Sequence, residues 1–204
     1  TNVDMAEEHE EQALLLNAKG PDFLAQSCRK RGVRLLHIST DYVFDGTKGK
    51  PYIEEDTTNP INVYGVSKLA GENAIRHQME DYVIIRTQWL IGYYGRNFVS
   101  TILYAAQINE SLRVVNDQWG SPTFAPDLAK AIMQLMEMDA RGIYNVCNRG
   151  KASWFDLAVQ AIELVGLDTQ VIPVSTLEFP RPAKRPSYSI LSTKKFTAKT
   201  GKLM

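Results

Sequence analysis

The order of apolar and polar residues along the chain predicts alternating buried strands and amphipathic helices. Residues 33–39 and 82–87 are apolar runs. They lack the strict alternation of apolar and polar residues that is expected of a strand with one solvent-exposed face. This pattern is typical of central strands with helices over both faces. Helical spacing runs between them, from about Tyr64 to Gln78. Strand, helix and strand in this order predict a parallel βαβ unit with a right-handed crossover.

Several further helices and strands follow from the same pattern. A first helix over 5–31 is predicted to split near Gly20-Pro21 and to end at Gly32. Residues 179–186 contain three prolines and are predicted to be irregular. The other predicted helices are 97–108, 126–138 and 153–165, and the other predicted strands are 112–115 and 142–146. The predicted fold class is α/β, with a parallel sheet up to about Gly92 and a smaller mixed lobe after it.

Composition and charge exclude several classes of protein. The 204 residues are 44% hydrophobic and 23% charged, and no apolar run has the length of a membrane span. Lys plus Arg equals Asp plus Glu at 23 each, so no overall field attracts nucleic acid or an anionic membrane. Cys28 and Cys147 are the only cysteines and lack Cys-x-x-Cys spacing. They therefore predict neither a disulfide framework nor a metal site, and they favour a reducing, cytoplasmic setting.

Candidate chemistry first appears at the start of the helix near residue 64. Tyr64 and Lys68 are four residues apart, and one helical turn places such side chains on the same face. An ammonium near a phenol favours the phenolate and can lower a tyrosine pKa from about 10, which makes Tyr64 a candidate proton donor. Alternatively, Tyr64 packs on the core while Lys68 pairs with Glu72. The short spacing alone does not separate these readings.

Three motifs, in order and spacing, resemble the extended short-chain dehydrogenase/reductase superfamily. They are STDYVFDG at 39–46, YGVSKLAGE at 64–72 and RTQW at 86–89. Within this superfamily the chain is most similar to the dTDP-4-dehydrorhamnose reductase family, through NFV at 97–99, VNDQWGSPT at 115–123 and RPAKRP at 181–186. Trp119 departs from the family pattern, where a smaller residue or tyrosine is expected.

The resemblance implies an oxidoreductase of nucleotide-sugar biosynthesis. It implies that NADPH or NADH reduces dTDP-4-dehydro-L-rhamnose to dTDP-L-rhamnose. It also implies a Rossmann-like fold, in which 1–92 form the C-terminal part of the dinucleotide-binding domain. Residues 93–204 are mainly a nucleotide-sugar lobe, with segments returning to the main domain. The implied catalytic residues are Thr40, Tyr64 and Lys68, the cofactor-binding residues are Tyr64, Lys68 and Thr87, and the substrate-binding residues are Thr40, Asp41, Tyr42, Trp89, Asn97 and Arg185.

Five of these residues have a simpler structural explanation. Thr40 could bond locally to the backbone at a strand end, and Asp41 could cap a turn. Trp89 could be an ordinary core tryptophan, and Asn97 could cap a helix. Arg185 could belong to a solvated basic loop. Its alternative role is a bidentate diphosphate ligand on a segment that prolines stiffen.

Two other functions remain open from the sequence. One is a different nucleotide-sugar reductase or epimerase of the same superfamily, because these chemistries also use Thr40, Tyr64 and Lys68. The other is a non-catalytic binding module resembling the regulatory subunit of methionine adenosyltransferase, which would not need that set of residues. The expected partners are a dTDP-4-keto-deoxysugar and a second copy of the chain in a homodimer. Nucleic acid and membrane are not expected partners.

Dinucleotide folds bind the pyrophosphate at a Gly-x-Gly-x-x-Gly turn, and the sequence contains no such turn. The resemblance implies that the turn lies before the position matching Thr1, so either the sequence is partial or the protein is truncated. We expect residues 1–204 alone to bind NADPH weakly and to lack reductase activity. Titration of NADPH fluorescence against a preparation of verified mass tests this, and micromolar binding would contradict it.

Overall fold

The computed structural model describes residues 2–204, which form eight α-helices and nine β-strands. A π-helical segment, Leu15–Lys19, joins the second helix to the third. The helices are α1 Val3–Glu8, α2 Glu10–Leu14, α3 Gly20–Arg31, α4 Val63–Gln78, α5 Phe98–Ile108, α6 Ala125–Glu137, α7 Trp154–Leu164 and α8 Lys194–Thr200. The strands are β1 Leu35–Thr40, β2 Tyr82–Thr87, β3 Leu90–Ile91, β4 Ser111–Val115, β5 Trp119–Gly120, β6 Thr123–Phe124, β7 Gly142–Asn145, β8 Ala152–Ser153 and β9 Gln170–Val174.

The main sheet is parallel, as the strand and helix alternation predicts. Its order is β1-β2-β7, and Thr40 lies opposite Thr87 where β1 and β2 end. The prediction that 33–39 is a central strand is wrong for residues 2–204, because β2 is central and one edge of β1 has no partner strand there. An apolar run indicates that both faces of a strand are buried, but it does not indicate the position of the strand in the sheet. That position depends on chain segments that are distant in sequence.

The first predicted helix is divided twice. Its predicted interruption near Gly20-Pro21 is confirmed, since the π-helical segment ends there and Pro21 opens α3. A second break at His9, between α1 and α2, was not predicted. Gly32 ends α3 with φ 62°, as expected for a left-handed helix terminator.

The segment after Gly92 builds smaller sheets and also returns to the main one. β4 and β9 form a parallel pair, whereas β7 joins β2 in the main sheet. The apolar pattern does not predict β9, because this strand contains Pro173 and three of its five residues are exposed. α8 also lacks a predicted counterpart. The boundary at residue 92 stays a prediction. No helix within residues 2–204 is long and apolar enough to cross a membrane.

A buried ion pair joins α4 to the central strand. Arg86 on β2 donates from Nε to Glu72 Oε1 at 3.0 Å and from Nη2 to Glu72 Oε2 at 2.7 Å. Ser39 on β1 donates its hydroxyl to the same carboxylate. The Glu72 side chain is 0% exposed and that of Arg86 is 3% exposed. Glu72 therefore does not form the alternative ion pair with Lys68, since its oxygens bond to β1 and β2.

We expect Arg86→Met to lower the free energy of unfolding by about 3–5 kcal/mol, because Glu72 would remain as an unpaired buried charge. The double variant Glu72→Met/Arg86→Met should regain much of this loss, since it removes both charges and keeps the volume. Urea unfolding measures both effects. The exposed pair of Lys130 and Asp127 provides a control, where Lys130→Met should cost less than about 0.5 kcal/mol. Equal losses for Arg86→Met and Lys130→Met would contradict the assigned role of the buried pair.

Candidate active site

A cavity of about 530 Å³ opens where β1 and β2 end and α4 begins. The carboxyl ends of parallel strands are the usual ligand-binding edge of an open α/β sheet. Seven of the nine predicted site residues line this cavity, namely Thr40, Asp41, Tyr42, Tyr64, Lys68, Thr87 and Trp89. Asn97 and Arg185 do not line it. The cavity thus brings together residues from three separate sequence motifs.

Tyr64 is buried near the N-terminus of α4, with 9% of its surface exposed. Burial raises the pKa of Tyr64 to about 12, although the Thr40 hydroxyl opposes this shift and the Asp41 carboxylate adds to it. The expected lowering of this pKa by Lys68 is not found, because burial sets the direction of the shift and Lys68 is not among the groups that change the pKa of Tyr64. Tyr64 therefore keeps its proton at neutral pH, as a proton donor must.

Lys68 is held by the neighbouring strand. Its Nζ donates to the backbone oxygen of Ile38 at 2.6 Å and lies 3.2 Å from His37 Nε2. Burial lowers the pKa of Lys68, whereas Glu72 opposes this shift. Burial and the charge of Lys68 lower the pKa of His37 to about 4, so a neutral His37 ring can accept from the ammonium.

Thr40 and Asp41 are both buried and bond to each other. Thr40 Oγ1 accepts from the Tyr42 amide at 3.2 Å and donates to Asp41 Oδ1 at 3.0 Å. The local bonding proposed as an alternative for Thr40 is therefore present, in a side chain that also lines the cavity. Burial raises the pKa of Asp41 to about 6.

Two buried polar atoms beside the cavity have no hydrogen-bond partner among residues 2–204. They are Asp41 Oδ2 and Thr87 Oγ1, in side chains that line the cavity. Asp41 and Thr87 are only 2% and 4% exposed. A buried polar atom without a partner costs free energy, so these atoms fit a polar ligand that bonds to them.

Trp89 has an uncommon backbone conformation, with φ 47°. Its ring stacks on Trp154, with centroids 3.4 Å apart and planes 6° apart. On another side a Cβ at Gly120 would lie 2.4 Å from Trp89 Cε2, so only glycine fits there. Trp89 is half-buried and lines the cavity, which contradicts its reading as an ordinary core residue.

Sequence reasoning missed several residues that line the cavity. Trp154 follows the Ser153 cap of α7, and its Nε1 donates to Gln118 Oε1 at 3.2 Å. Phe98 lies against it, and the exposed Arg96 completes that side. An aromatic residue next to a helix cap was the available signal for Trp154, but it does not indicate which distant strand end the ring will face.

Asn97 caps α5, in a reciprocal arrangement with Ser100. Its Nδ2 donates to the Gly92 oxygen at 3.0 Å, so local bonds use much of this side chain. The capping explanation therefore describes Asn97 in this structure. Its contact with a nucleotide stays a prediction.

Arg185 lies beside Tyr42, outside the cavity. Its Nη1 donates to Asp4 Oδ1 and to the Ala183 oxygen. Only 15% of its side chain is exposed, which contradicts the reading as a solvated basic loop. Burial raises the pKa of Tyr42, and the charge of Arg185 partly offsets this shift. Diphosphate binding by Arg185 stays a prediction.

Known proteins are similar to this chain over nearly all of its length. A spore coat polysaccharide biosynthesis protein, SpsK of Bacillus subtilis, is 43% identical over 192 residues, or 94% of this chain and 68% of that protein. A dTDP-4-dehydrorhamnose reductase of Mycobacterium tuberculosis is 43% identical over 203 residues, or 96% of this chain and 67% of that protein.

A solved structure is similar over the whole chain. The dTDP-4-dehydrorhamnose reductase of Bacillus anthracis, in complex with NADP, has a TM-score of 0.97 and 40% identity, and the match covers 100% of this chain and 73% of that one. This similarity supports the predicted Rossmann-like α/β fold. The sequence model described as RmlD substrate binding domain matches residues 1–204. The chain therefore belongs to the RmlD substrate binding domain family.

Proposed function

We propose that this chain carries the proton donor and the sugar-binding site of an NADPH-dependent reductase that converts dTDP-4-dehydro-L-rhamnose to dTDP-L-rhamnose. The main supporting observation is the buried phenol of Tyr64, which lines one cavity together with Thr40 and Lys68. Family membership and the names of the similar reductases support the same reaction. We further propose that the reaction takes place in the cytoplasm, in keeping with two free cysteines.

The residues of the cavity fit a nicotinamide cofactor. Thr87 presents a buried hydroxyl without a partner among residues 2–204, and Lys68 bonds to Ile38 and His37 with two of its three donor positions. We infer that Tyr64, Lys68 and Thr87 would hold the cofactor. NADPH, when bound, supplies the hydride that adds to the keto carbon of the sugar.

Tyr64 then has one chemical task in this proposal. As charge develops on the keto oxygen, the phenol donates its proton to that oxygen. The Thr40 hydroxyl keeps the bond that it accepts from the Tyr42 amide and orients the keto oxygen by donating its one proton to that oxygen in place of Asp41 Oδ1. Lys68 lies one turn along the same face of α4 and stabilises the phenolate that Tyr64 becomes.

Sugar recognition is assigned to Asp41, Trp89 and Tyr42, which also line the cavity. The free oxygen of Asp41 accepts a hydrogen bond from a sugar hydroxyl, which would offset the cost of its burial. Trp89 presents an edge of a rigid aromatic pair, and Tyr42 stands edge-on to Tyr64 with ring centroids 5.8 Å apart. These side chains define the depth and width available to the ring of the sugar.

The reaction itself is tested by assay of a protein that carries this chain together with a dinucleotide-binding segment. Loss of NADPH absorbance with dTDP-4-dehydro-L-rhamnose, and formation of dTDP-L-rhamnose, is the expected result. Reduction of a different 4-keto nucleotide sugar alone would favour the second candidate, another reductase or epimerase of the superfamily.

In the same protein, Tyr64→Phe should reduce turnover by about 10²–10⁴-fold, because it removes the donated proton and keeps the ring. NADPH affinity should change little. The exposed Tyr104→Phe provides a matched control on α5 and should leave turnover unchanged. Turnover of Tyr64→Phe within a factor of two of the wild type would show that Tyr64 is not the donor.

Asp41→Asn should stabilise the fold and weaken sugar binding. The pKa of Asp41 is raised in the folded chain, so its contribution to stability is complete below about pH 3.8 and lost as pH rises through about 6. At pH 8 the amide should therefore raise the unfolding free energy by about 2–3 kcal/mol, with a smaller gain at pH 4.5. Urea unfolding at both pH values measures this, with the exposed Asp168→Asn as control. A gain independent of pH would contradict the assignment of Asp41 as a buried carboxylate without a cationic partner among residues 2–204.

A further inference from the structure

Asp4 on α1 collects hydrogen bonds from a loop nearly the whole chain away. Arg181 donates to Asp4 Oδ2 from Nε at 3.1 Å and from Nη2 at 2.6 Å. The Ala183 amide donates to Asp4 Oδ1 at 3.2 Å, and Arg185 Nη1 donates to the same oxygen. A single carboxylate therefore fixes three residues of the proline-containing segment 181–186, which we call the arginine loop.

The two arginines of this loop present different edges to Asp4. Arg181 uses its Nε and Nη2 edge, which is the edge suited to bidentate recognition of an oxyanion. Arg185 uses only Nη1, which it shares between Asp4 and the Ala183 oxygen. Neither Asp4 nor Ala183 uses the Nε and Nη2 groups of Arg185, and the Tyr42 hydroxyl is the side-chain group that interacts with the guanidinium on that side. Asp4 thus occupies the bidentate edge of Arg181 and leaves that of Arg185 free of carboxylates, with the Tyr42 phenol beside it.

A second bond ties the arginine loop to the helix that carries Tyr64. Asn62 accepts from the Gly65 amide at 2.7 Å as the cap of α4, and its Nδ2 donates to the Lys184 oxygen at 2.7 Å. The loop is therefore held by two separate elements, by Asp4 on α1 and by the N-terminus of α4. Val3, the neighbour of Asp4, and Tyr42, the neighbour of Arg185, both line the cavity.

We propose that Asp4 is a positioning residue that fixes the arginine loop and orients the free edge of Arg185 toward the diphosphate of a nucleotide sugar. This inference rests on the proposed function, because it takes Arg185 as the diphosphate ligand. Arg181 binds Asp4 and thereby holds the arginine loop in place, and it does not bind the ligand. The side-chain exposures agree with this division, at 51% for Arg181 and 15% for Arg185.

Two effects of Asp4 on anion binding oppose each other. Its negative charge disfavours a diphosphate near Arg185, whereas its hydrogen bonds remove the need to order the loop during binding. Ordering long side chains during binding costs free energy, and Asp4 already fixes two arginines and a backbone amide before the ligand binds. The charge is already balanced by two guanidinium groups, so positioning should be the larger effect.

Calorimetric titration with dTDP tests the proposal on the chain and on any longer form that contains it. Asp4→Asn should weaken dTDP binding by about 3- to 10-fold, and Arg181→Ala should have a similar effect. Arg185→Ala should weaken it by about 10-fold or more, because charge-assisted bonds are lost. In the double variant Asp4→Asn/Arg185→Ala, the effect of Asp4→Asn should disappear, since the residue that Asp4 orients is gone. A merely structural role for Asp4 would instead persist in that background.

Hydrogen exchange of the 181–186 amides gives a readout without ligand. Asp4→Asn should speed exchange at Ala183 by about 10-fold or more, whereas Arg185→Ala should change it less, because Arg181 and Ala183 still bond to Asp4. Unchanged exchange in Asp4→Asn would overturn the positioning role, as would tighter dTDP binding, which would identify Asp4 as a competitor of the anion. If Asp4→Asn speeds exchange but Arg185→Ala leaves dTDP affinity unchanged, Arg185 is not the diphosphate ligand. The fixing of the arginine loop by Asp4 would then be confirmed on its own.

Discussion

The buried ion pair between Glu72 and Arg86 is the interaction on which the site depends. It fixes α4 to β2 with two hydrogen bonds, while the Ser39 hydroxyl adds a contact to β1. Tyr64 lies two turns and Lys68 one turn before Glu72 on the same face of α4. A shift of the helix along the sheet would therefore move the proton donor and the lysine together relative to Thr40 and Thr87. Both charges are buried between α4 and β2, where water cannot replace a lost partner.

Burial has two opposite consequences in this cavity. It removes Tyr64 and Asp41 from water and raises the pKa of both groups, so the phenol keeps the proton that the proposed reaction consumes. Burial also leaves Asp41 Oδ2 and Thr87 Oγ1 without partners among residues 2–204, which destabilises the fold. Such a cost among residues that line a cavity is typical of a binding site, where a ligand supplies the missing bonds.

The aromatic part of the cavity lining is assembled from distant segments. Gly120 leaves the space that the Trp89 ring occupies, and Trp154 stacks on the other side of that ring. Gln118 holds the Trp154 indole and in turn donates to Thr176 at 3.0 Å. The aromatic pair is consequently rigid, and its position depends on four parts of the chain that are separate in sequence.

The sequence by itself determined the elements whose causes are local. The apolar runs of β1 and β2, the four-residue spacing of Tyr64 and Lys68 and the left-handed glycine at Gly32 depend on neighbouring residues, and the structure contains each of them. Family motifs added seven residues that do line one cavity. β9 and α8 were missed because their apolar patterns are weak.

Only the tertiary structure decided which charged and polar atoms meet. The spacing of Tyr64 and Lys68 predicted a lowered tyrosine pKa, but the ammonium bonds to Ile38 and burial controls the phenol. Glu72 pairs with Arg86, and Asp4 pairs with Arg185. The sequence alone does not indicate which of the charged residues form these pairs. Local propensity acts over a few residues, whereas burial and ion pairing depend on distances that exist only once the chain has folded.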